Sequence, residues 1–333
     1  MIKFLKLFKR SLIWKYIVLF LIKPIFDFFW TYIINFEAKF LYFKWNKNKK
    51  NFFDLNDANH LIVEDNKDIE SLANELSNFC DEDVLQKSKN KMLSEEDCYT
   101  NHLFDLLPRD LKEKVVKFAS SDLIVNTATQ YLGVFPILSR IYLYHNIPRS
   151  HETIKAQRWH KDGMSYKGLD FFISITDIDI ENGPFSFVTR KNKLGAFEKI
   201  DKVDENAKPG GRGKVSDLEF TKIFEDHEIE TVLGKKGTCI IVDSYNCYHK
   251  GGHCKTKDRV MLRIAFDTID SSVIYYDEEK YKSDTIFYYN KKKISEVESD
   301  FTKYLMFRRS KFIKKFDIAP KMLKLYDFLD YKH

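Results

Sequence analysis

The pattern of hydrophobic and polar positions changes from helical to extended near residue 135. Apolar residues recur at helical spacing over 66–80, 108–119 and 121–132, with Asn66 as the predicted cap of the first helix and Gly133 just after the third. Short apolar runs rich in β-forming residues follow, over 136–146, 169–177, 184–189, 229–233, 237–243 and 259–269. This order predicts an α+β protein that is mainly β with flanking helices. Such short strands close most economically as a two-sheet jelly roll.

The first 50 residues form a segment of different character, ahead of one predicted domain over 51–333. The apolar stretch 16–36 is interrupted by Lys23, Pro24 and Asp27, and the two charges offset most of the free energy gained by inserting the stretch into a bilayer. A small-residue cleavage site of the kind that ends a signal peptide is also missing. The basic and aromatic residues instead predict a helix in the membrane interface, and the alternative is an amphipathic helix packed on the domain. The predicted location is cytoplasmic and peripheral to the membrane.

Composition excludes several function classes. The chain has 333 residues, of which 44% are hydrophobic and 31% charged, as expected for a globular protein. Its net charge of +6 is concentrated at the two ends, so no nucleic-acid partner is predicted, and nothing in the sequence identifies a protein partner. The five cysteines form no Cys-x-x-Cys pair, which argues against a zinc or iron–sulfur site. The long polar segment 191–228 is predicted to be a lid or binding loop, and 294–333 a C-terminal helical extension.

Two separated segments carry the candidate chemistry. The first contains His160 and Asp162, and the second contains His249, with Arg259 ten positions later. A His-x-Asp triplet alone is expected about once by chance in a chain of this composition, so its weight comes from its place between predicted strands. Two imidazoles and one carboxylate can occupy one face of an iron(II) ion and leave other positions open. An arginine nearby can hold the far carboxylate of a dicarboxylic acid with two parallel hydrogen bonds.

The order of these residues resembles the phytanoyl-CoA dioxygenase-like family of iron(II)- and 2-oxoglutarate-dependent oxygenases. The resemblance covers roughly residues 65–270 and is densest from 155 to 266. Two departures are visible: 189–192 replaces a stretch that is often Pro-Gly-Ser-His in the family, and the segment from Asp243 to His249 is one residue longer than usual. The matching residues are Gln157, Trp159, His160, Asp162, Asp177, Glu181, Asn182, Gly183, Pro184, Asp243, His249, Lys250, Gly251, Gly252, Arg259 and Phe266.

The resemblance implies a fold, a reaction and a role for each site residue. The fold is a double-stranded β-helix, the cupin-like form of the jelly roll. The metal ligands for Fe(II) are His160, Asp162 and His249, and Arg259 binds the distal carboxylate of 2-oxoglutarate. With O2 as oxidant, such an enzyme hydroxylates an unactivated C–H bond and releases succinate and CO2. The substrate is predicted to be a small molecule or a lipid-like molecule.

Some assignments stay open at the level of sequence. His253 is a rival to His249, and in that case Arg263 takes the place of Arg259 at the same spacing. Arg140, in the predicted strand 136–146, is a second candidate for binding the co-substrate, or else a structural ion-pair partner. Two other functions remain: a non-catalytic binding module at the membrane surface, and a cupin-like metalloenzyme that does not use 2-oxoglutarate.

Overall fold

The computed structural model describes residues 51–55, 59–95, 98–150, 153–162, 167–188, 215–225 and 228–268, with a few single positions between 25 and 43. Most of the N-terminal segment, the loop residues 191–214 and the extension 294–333 lie outside the described residues, so their predicted roles stay predictions. Among the residues that are described, no helix combines the length and apolar character needed to cross a bilayer. Of the N-terminal segment, Ala38 is buried, and its carbonyl accepts a hydrogen bond from the Phe135 amide at 3.1 Å.

Four α-helices whose bounds lie within the described residues come before the main strands: Lys67–Phe79 (α1), Glu82–Leu93 (α2), Arg109–Ala119 (α3) and Asp122–Leu132 (α4). The predicted cap of α1 is confirmed, since the Asn66 side chain accepts from the Ile69 amide at 3.1 Å. Helix α4 ends at Gly133, whose φ of +69° is the left-handed conformation that favours glycine. The sequence pattern did not indicate α2, because this helix buries only Ser88 and Met92. A four-residue helix, Asp217–Phe220 (α5), follows later in the chain.

In the described part of the chain, the strands form two antiparallel sheets. The strands are His60–Val63 (β1), Thr100–His102 (β2), Ile137–Asn146 (β3), Gly168–Ser174 (β4), Ser186–Val188 (β5), Ile229–Thr231 (β6), Cys239–Val242 (β7), His249–Lys250 (β8) and Arg259–Asp267 (β9). The larger sheet has the order β1-β7-β4-β9-β3-β2, and the smaller has the order β6-β5-β8. The sequence predicted all of these strands except β1, β2 and β8. Strand β4 ends at Ser174, three residues earlier than predicted.

Successive side chains along each strand of the larger sheet point to opposite faces, and both faces are buried. On one face, side chains such as Phe171, Leu262 and Ile264 pack in the main core with α1, α3 and α4. On the other face, Phe172 and Met261 pack with residues of the smaller sheet in a second apolar cluster. The candidate site lies on this second face, so helices support the larger sheet from behind while the smaller sheet lies in front of it.

Candidate metal centre

His160 and His249 lie side by side because their backbones pair. The His160 amide donates to the His249 carbonyl and the His249 amide to the His160 carbonyl, each at 2.9 Å. The preceding residue, Trp159, is buried and pairs in the same way with Val215. Its indole stacks on Phe220 of α5, with ring centroids 4.0 Å apart and planes 7° apart. These contacts hold the segment that carries the first histidine against the strand that carries the second.

Both imidazole rings are oriented by the backbone. Nδ1 of His160 lies 2.7 Å from the Arg158 carbonyl oxygen, and Nδ1 of His249 lies 3.0 Å from the Cys247 carbonyl oxygen. A carbonyl only accepts, so each Nδ1 carries the hydrogen and each Nε2 presents its lone pair. The same arrangement orients histidine ligands in many metal sites.

Asp162 completes the cluster. Its Oδ1 is 3.6 Å from Nε2 of His160 and 3.9 Å from Nε2 of His249. One ligand atom from each of the three residues lies within 4.8 Å of the others, and among the described residues no other such group of acidic, histidine or cysteine side chains occurs. Asp162 is held in place through its own amide, which donates to the Ser244 carbonyl at 3.0 Å.

The charge states suit a divalent ion. Burial, together with the neighbouring His160, lowers the pKa of His249 to about 4, so this ring is neutral at pH 7. Burial by itself would raise the pKa of Asp162, but Arg263 and the two imidazoles outweigh it and hold that pKa well below the usual range. Two imidazole nitrogens and one carboxylate oxygen form a donor set that fits iron(II) and related first-row metals.

Arg263 lies directly behind Asp162. Its Nη2 is 2.6 Å from Oδ2 of Asp162, and its Nε and Nη2 are each 2.8 Å from an oxygen of Asp170. The Ser244 hydroxyl is 3.1 Å from the same Asp162 oxygen and also contacts Asp170. Oδ2 of Asp162 is therefore held by the protein, while Oδ1 faces the two imidazoles.

The structure places Arg259 in a different environment. Its guanidinium is buried and contacts the carbonyl oxygens of Gly183 and Gly251, and its Nη2 is 3.1 Å from the Asn146 side-chain oxygen. These partners are all neutral, and no acidic side chain of the described residues pairs with this cation. Its Nε is buried without an acceptor. Burial lowers the pKa of Arg259, which reflects the cost of keeping this charge inside the protein.

Arg140 belongs to a separate buried network on the same face of the large sheet. Its Nη2 is 2.5 Å from the Tyr245 hydroxyl and 3.8 Å from Oδ2 of Asp267, and the Tyr245 hydroxyl is 2.5 Å from Oδ1 of Asp267. This is the environment of an ion-paired arginine, the structural alternative for this residue. As with Arg259, its Nε has no acceptor.

His253 is turned away from the cluster. Its Nδ1 is 3.0 Å from the Gln157 side-chain nitrogen, and its Nε2 is 2.9 Å from the Arg149 carbonyl oxygen. Both ring nitrogens are thus engaged in binding two loops together, and the geometry favours His249 over His253 as the metal ligand. Gln157 also accepts a hydrogen bond from the Ile154 amide at 3.0 Å, so it fixes the turn just before the first histidine.

Sequence reasoning missed Asp170 and Ser244. Asp170 lies in an apolar strand on the same face as Phe172, two positions apart. A carboxylate on the buried face of a strand needs a cationic partner, and this signal was available in the sequence. Identifying that partner as Arg263 required the alignment of β4 with β9, where Arg263 is opposite Phe172 and diagonal to Asp170.

Comparison with known proteins gives no family. No protein-family model matches the chain, and neither does any curated protein. The resemblance to the phytanoyl-CoA dioxygenase-like family therefore stays a prediction.

Several solved structures of iron- and 2-oxoglutarate-dependent enzymes are similar at a low level. EctD from S. alaskensis with bound Fe is 12% identical, with 65% of this chain and 75% of that chain covered and a TM-score of 0.40. HygX from Streptomyces hygroscopicus, with nickel and 2-oxoglutarate bound, is 12% identical, with 64% of this chain and 84% of that chain covered and a TM-score of 0.40. SnoN, a non-heme alpha-ketoglutarate-dependent epimerase from nogalamycin biosynthesis, is 12% identical, with 64% of this chain and 79% of that chain covered and a TM-score of 0.37. Values this low carry no argument about the chemistry of this chain.

Proposed function

We propose that this protein is an Fe(II)- and 2-oxoglutarate-dependent oxygenase that hydroxylates an unactivated C–H bond of a small-molecule or lipid-like substrate. The observation that carries the proposal is the convergence of His160, Asp162 and His249, with both Nε2 atoms and Oδ1 directed at one another. Two imidazoles and one carboxylate are the ligand set of non-heme iron(II) oxygenases, and they leave coordination positions for other ligands.

Arg259 supports the assignment of a carboxylate-containing co-substrate. It is a buried cation that, among the described residues, has only neutral partners and retains a free Nε–H. A buried charge is costly unless it is paired, so this guanidinium suits an anion that arrives with the ligand. We assign it to the distal carboxylate of 2-oxoglutarate. Arg140, which is already paired with Asp267, is the weaker candidate.

The charges around the metal centre favour the same co-substrate. The charged groups there are Asp162, Asp170 and Asp267 against Arg140, Arg259 and Arg263, three of each sign, so a divalent cation would make their net charge positive. A dianion such as 2-oxoglutarate would then be attracted to the site.

The architecture proposed for this site is a double-stranded β-helix, with the two antiparallel sheets as its walls. The apolar cluster between them lies next to the metal ligands, and Phe185 stacks on the His249 ring with centroids 5.5 Å apart. We propose membership of the phytanoyl-CoA dioxygenase-like family on the motif residues alone. A membrane-surface role for the N-terminal segment, and the lid over 191–228, are parts of the same proposal.

Each residue has a definable task in this reaction. An iron(II) ion bound with 2-oxoglutarate would supply the oxidising chemistry that consumes O2, releases succinate and CO2, and converts C–H to C–OH. The Nδ1–H groups of His160 and His249 donate to carbonyls and keep both Nε2 atoms available to the ion. Arg259 holds and orients the co-substrate through its distal carboxylate. The apolar wall that contains Phe185 limits water at the centre.

The decisive experiment measures metal and co-substrate binding before any substrate is known. Fe(II) and 2-oxoglutarate, added together to the full chain without O2, should give a weak visible absorption band, and His160→Ala should abolish it. A wild-type protein that binds Fe(II) but shows neither this band nor 2-oxoglutarate binding by calorimetry would refute the co-substrate and leave a metalloenzyme of another kind. Succinate release, screened over lipid and metabolite pools in O2, then identifies the substrate class.

A further inference from the structure

We propose that Arg263 is a positioning residue which, together with Ser244 and Asp170, fixes the Asp162 carboxylate so that only Oδ1 faces the metal. This inference rests on the metal centre proposed above. It concerns residues that the proposed function does not use, and Arg263 itself touches neither of the two imidazoles in the contacts described.

The geometry separates the two oxygens of Asp162. Oδ2 accepts from Arg263 Nη2 at 2.6 Å, and the Ser244 hydroxyl, whose single hydrogen is shared between Asp162 and Asp170, lies 3.1 Å away. Oδ1 is the atom nearest the two Nε2 atoms, at 3.6 and 3.9 Å. A carboxylate with one oxygen held in this way cannot easily rotate to offer both oxygens to an ion, so it serves as a ligand through one oxygen. The position beside it then stays free for co-substrate or O2.

Arg263 is itself rigidly held. Asp170 binds it through two parallel hydrogen bonds of 2.8 Å, which fix the plane of the guanidinium. The ring of Phe172, its neighbour on β4, lies 5.2 Å from the guanidinium carbon. The side chain is therefore fixed by a carboxylate on one side and by an aromatic ring on another. A lysine has the same charge but no planar fork, and it could not keep this arrangement.

Simple electrostatics would argue against a cation at this place. A positive charge 2.6 Å from a metal ligand reduces the attraction between that ligand and a divalent ion. If Arg263 acted only through its charge, removing that charge would strengthen metal binding. If it acts by positioning Asp162, removing it would weaken metal binding. The two roles predict effects of opposite sign.

The test is a titration of the metal-free full chain with Co(II), without 2-oxoglutarate, followed by calorimetry and by the visible Co(II) spectrum. Arg263→Lys and Arg263→Gln should each weaken binding by about 10- to 100-fold and change the Co(II) bands. Ser244→Ala should weaken binding less, because Arg263 still holds Oδ2. The control is Arg149→Lys, since the Arg149 side chain donates to the Glu95 carbonyl and has no contact with the ligand cluster in the described residues.

Each outcome is decisive. Wild-type affinity for Arg263→Lys, with tighter binding for Arg263→Gln, would overturn the proposal in favour of a pure charge effect. If neither Arg263 variant folds, Ser244→Ala decides: weaker binding with altered bands supports positioning, and unchanged affinity and bands refute it. If wild type binds Co(II) and His160→Ala does not, while the Arg263 variants match wild type, only this inference fails. If wild type does not bind Co(II), the metal centre fails first.

Discussion

The main chains of His160 and His249 exchange two hydrogen bonds of 2.9 Å, although the two residues are far apart in the sequence. The two proposed ligands are thus joined through their backbones, and each ring is fixed through Nδ1 by a carbonyl two residues earlier. A site that is ordered in this way does not need the metal to assemble it. Binding then requires little loss of conformational freedom, which favours affinity.

Loss of His249 should remove metal binding, whereas loss of His253 should not. His249→Ala takes away one of the three ligand atoms, so calorimetric titration with Co(II) should show affinity reduced by about 100-fold or more. His253→Ala is the matched control, because it removes a nearby histidine that binds Gln157 and the Arg149 carbonyl instead. It should bind Co(II) as wild type does and lose about 1 kcal/mol of unfolding free energy. If His253→Ala loses Co(II) binding and His249→Ala keeps it, the second histidine ligand is His253.

Replacing Arg259 should weaken the binding of 2-oxoglutarate, while the affinity for the metal should stay largely unchanged. In Arg259→Gln the distal carboxylate loses a charge-assisted pair of hydrogen bonds, so the Kd for 2-oxoglutarate should rise by about 30- to 100-fold. The measurement is a titration of the anaerobic iron-loaded protein with 2-oxoglutarate. Equal 2-oxoglutarate affinity in a folded Arg259→Gln variant would mean that another cation holds the co-substrate, and Arg140→Gln would be the next variant to measure.

Gly168 should tolerate no side chain. A Cβ at this position would lie 1.8 and 2.0 Å from two ring carbons of Tyr245, whose hydroxyl links Arg140 to Asp267. The ring must move, so Gly168→Ala should lower the unfolding free energy by about 1–3 kcal/mol, as overpacking does. Gly251→Ala is the control, since its nearest neighbours would be at the ordinary distances of 3.5 and 3.7 Å. Chemical denaturation measures both, and equal stability of the two variants would contradict the packing around Tyr245.

Asp258 should make the fold sensitive to acid. Its Oδ2 is 3.1 Å from Nε2 of the buried His145, whose Nδ1 is 2.8 Å from the Ser88 hydroxyl. Burial alone would raise the pKa of Asp258, but His145 and Lys89 outweigh it, and the net shift is downward. A carboxylate with a lowered pKa in the folded state stabilises the fold above its unfolded pKa of about 3.9. That contribution is lost as the pH falls through the folded-state pKa.

The corresponding test compares Asp258→Asn with wild type by denaturation at several pH values. The variant should be less stable by about 1 kcal/mol near pH 7, and this difference should disappear below about pH 3. Asp105→Asn, which changes an exposed aspartate, should show no such dependence. A difference between Asp258→Asn and wild type that persists unchanged in acid would mean that the carboxylate charge of Asp258 does not contribute to stability.

The sequence by itself determined the types of the longer elements and singled out His160 and Asp162 as candidate metal ligands. Local signals suffice for this: apolar periodicity predicted β3 and β9, Asn66 and Gly133 bounded helices, and the motif contained His160 and Asp162. It could not decide between His249 and His253, because both lie in one short polar segment. Only the backbone pairing of His249 with His160 separates them.

The tertiary structure alone decided what the two arginines of β9 do. Arg259 and Arg263 lie on the same face of one strand, and nothing in their local sequence distinguishes them. The pairing of β9 with β4 brings Arg263 to Asp170 and Asp162, while Arg259, at the start of the strand, meets Asn146 and two glycine carbonyls. Partners of a charged side chain are set by strand register between distant segments, and register depends on packing across the whole sheet rather than on neighbours in the chain.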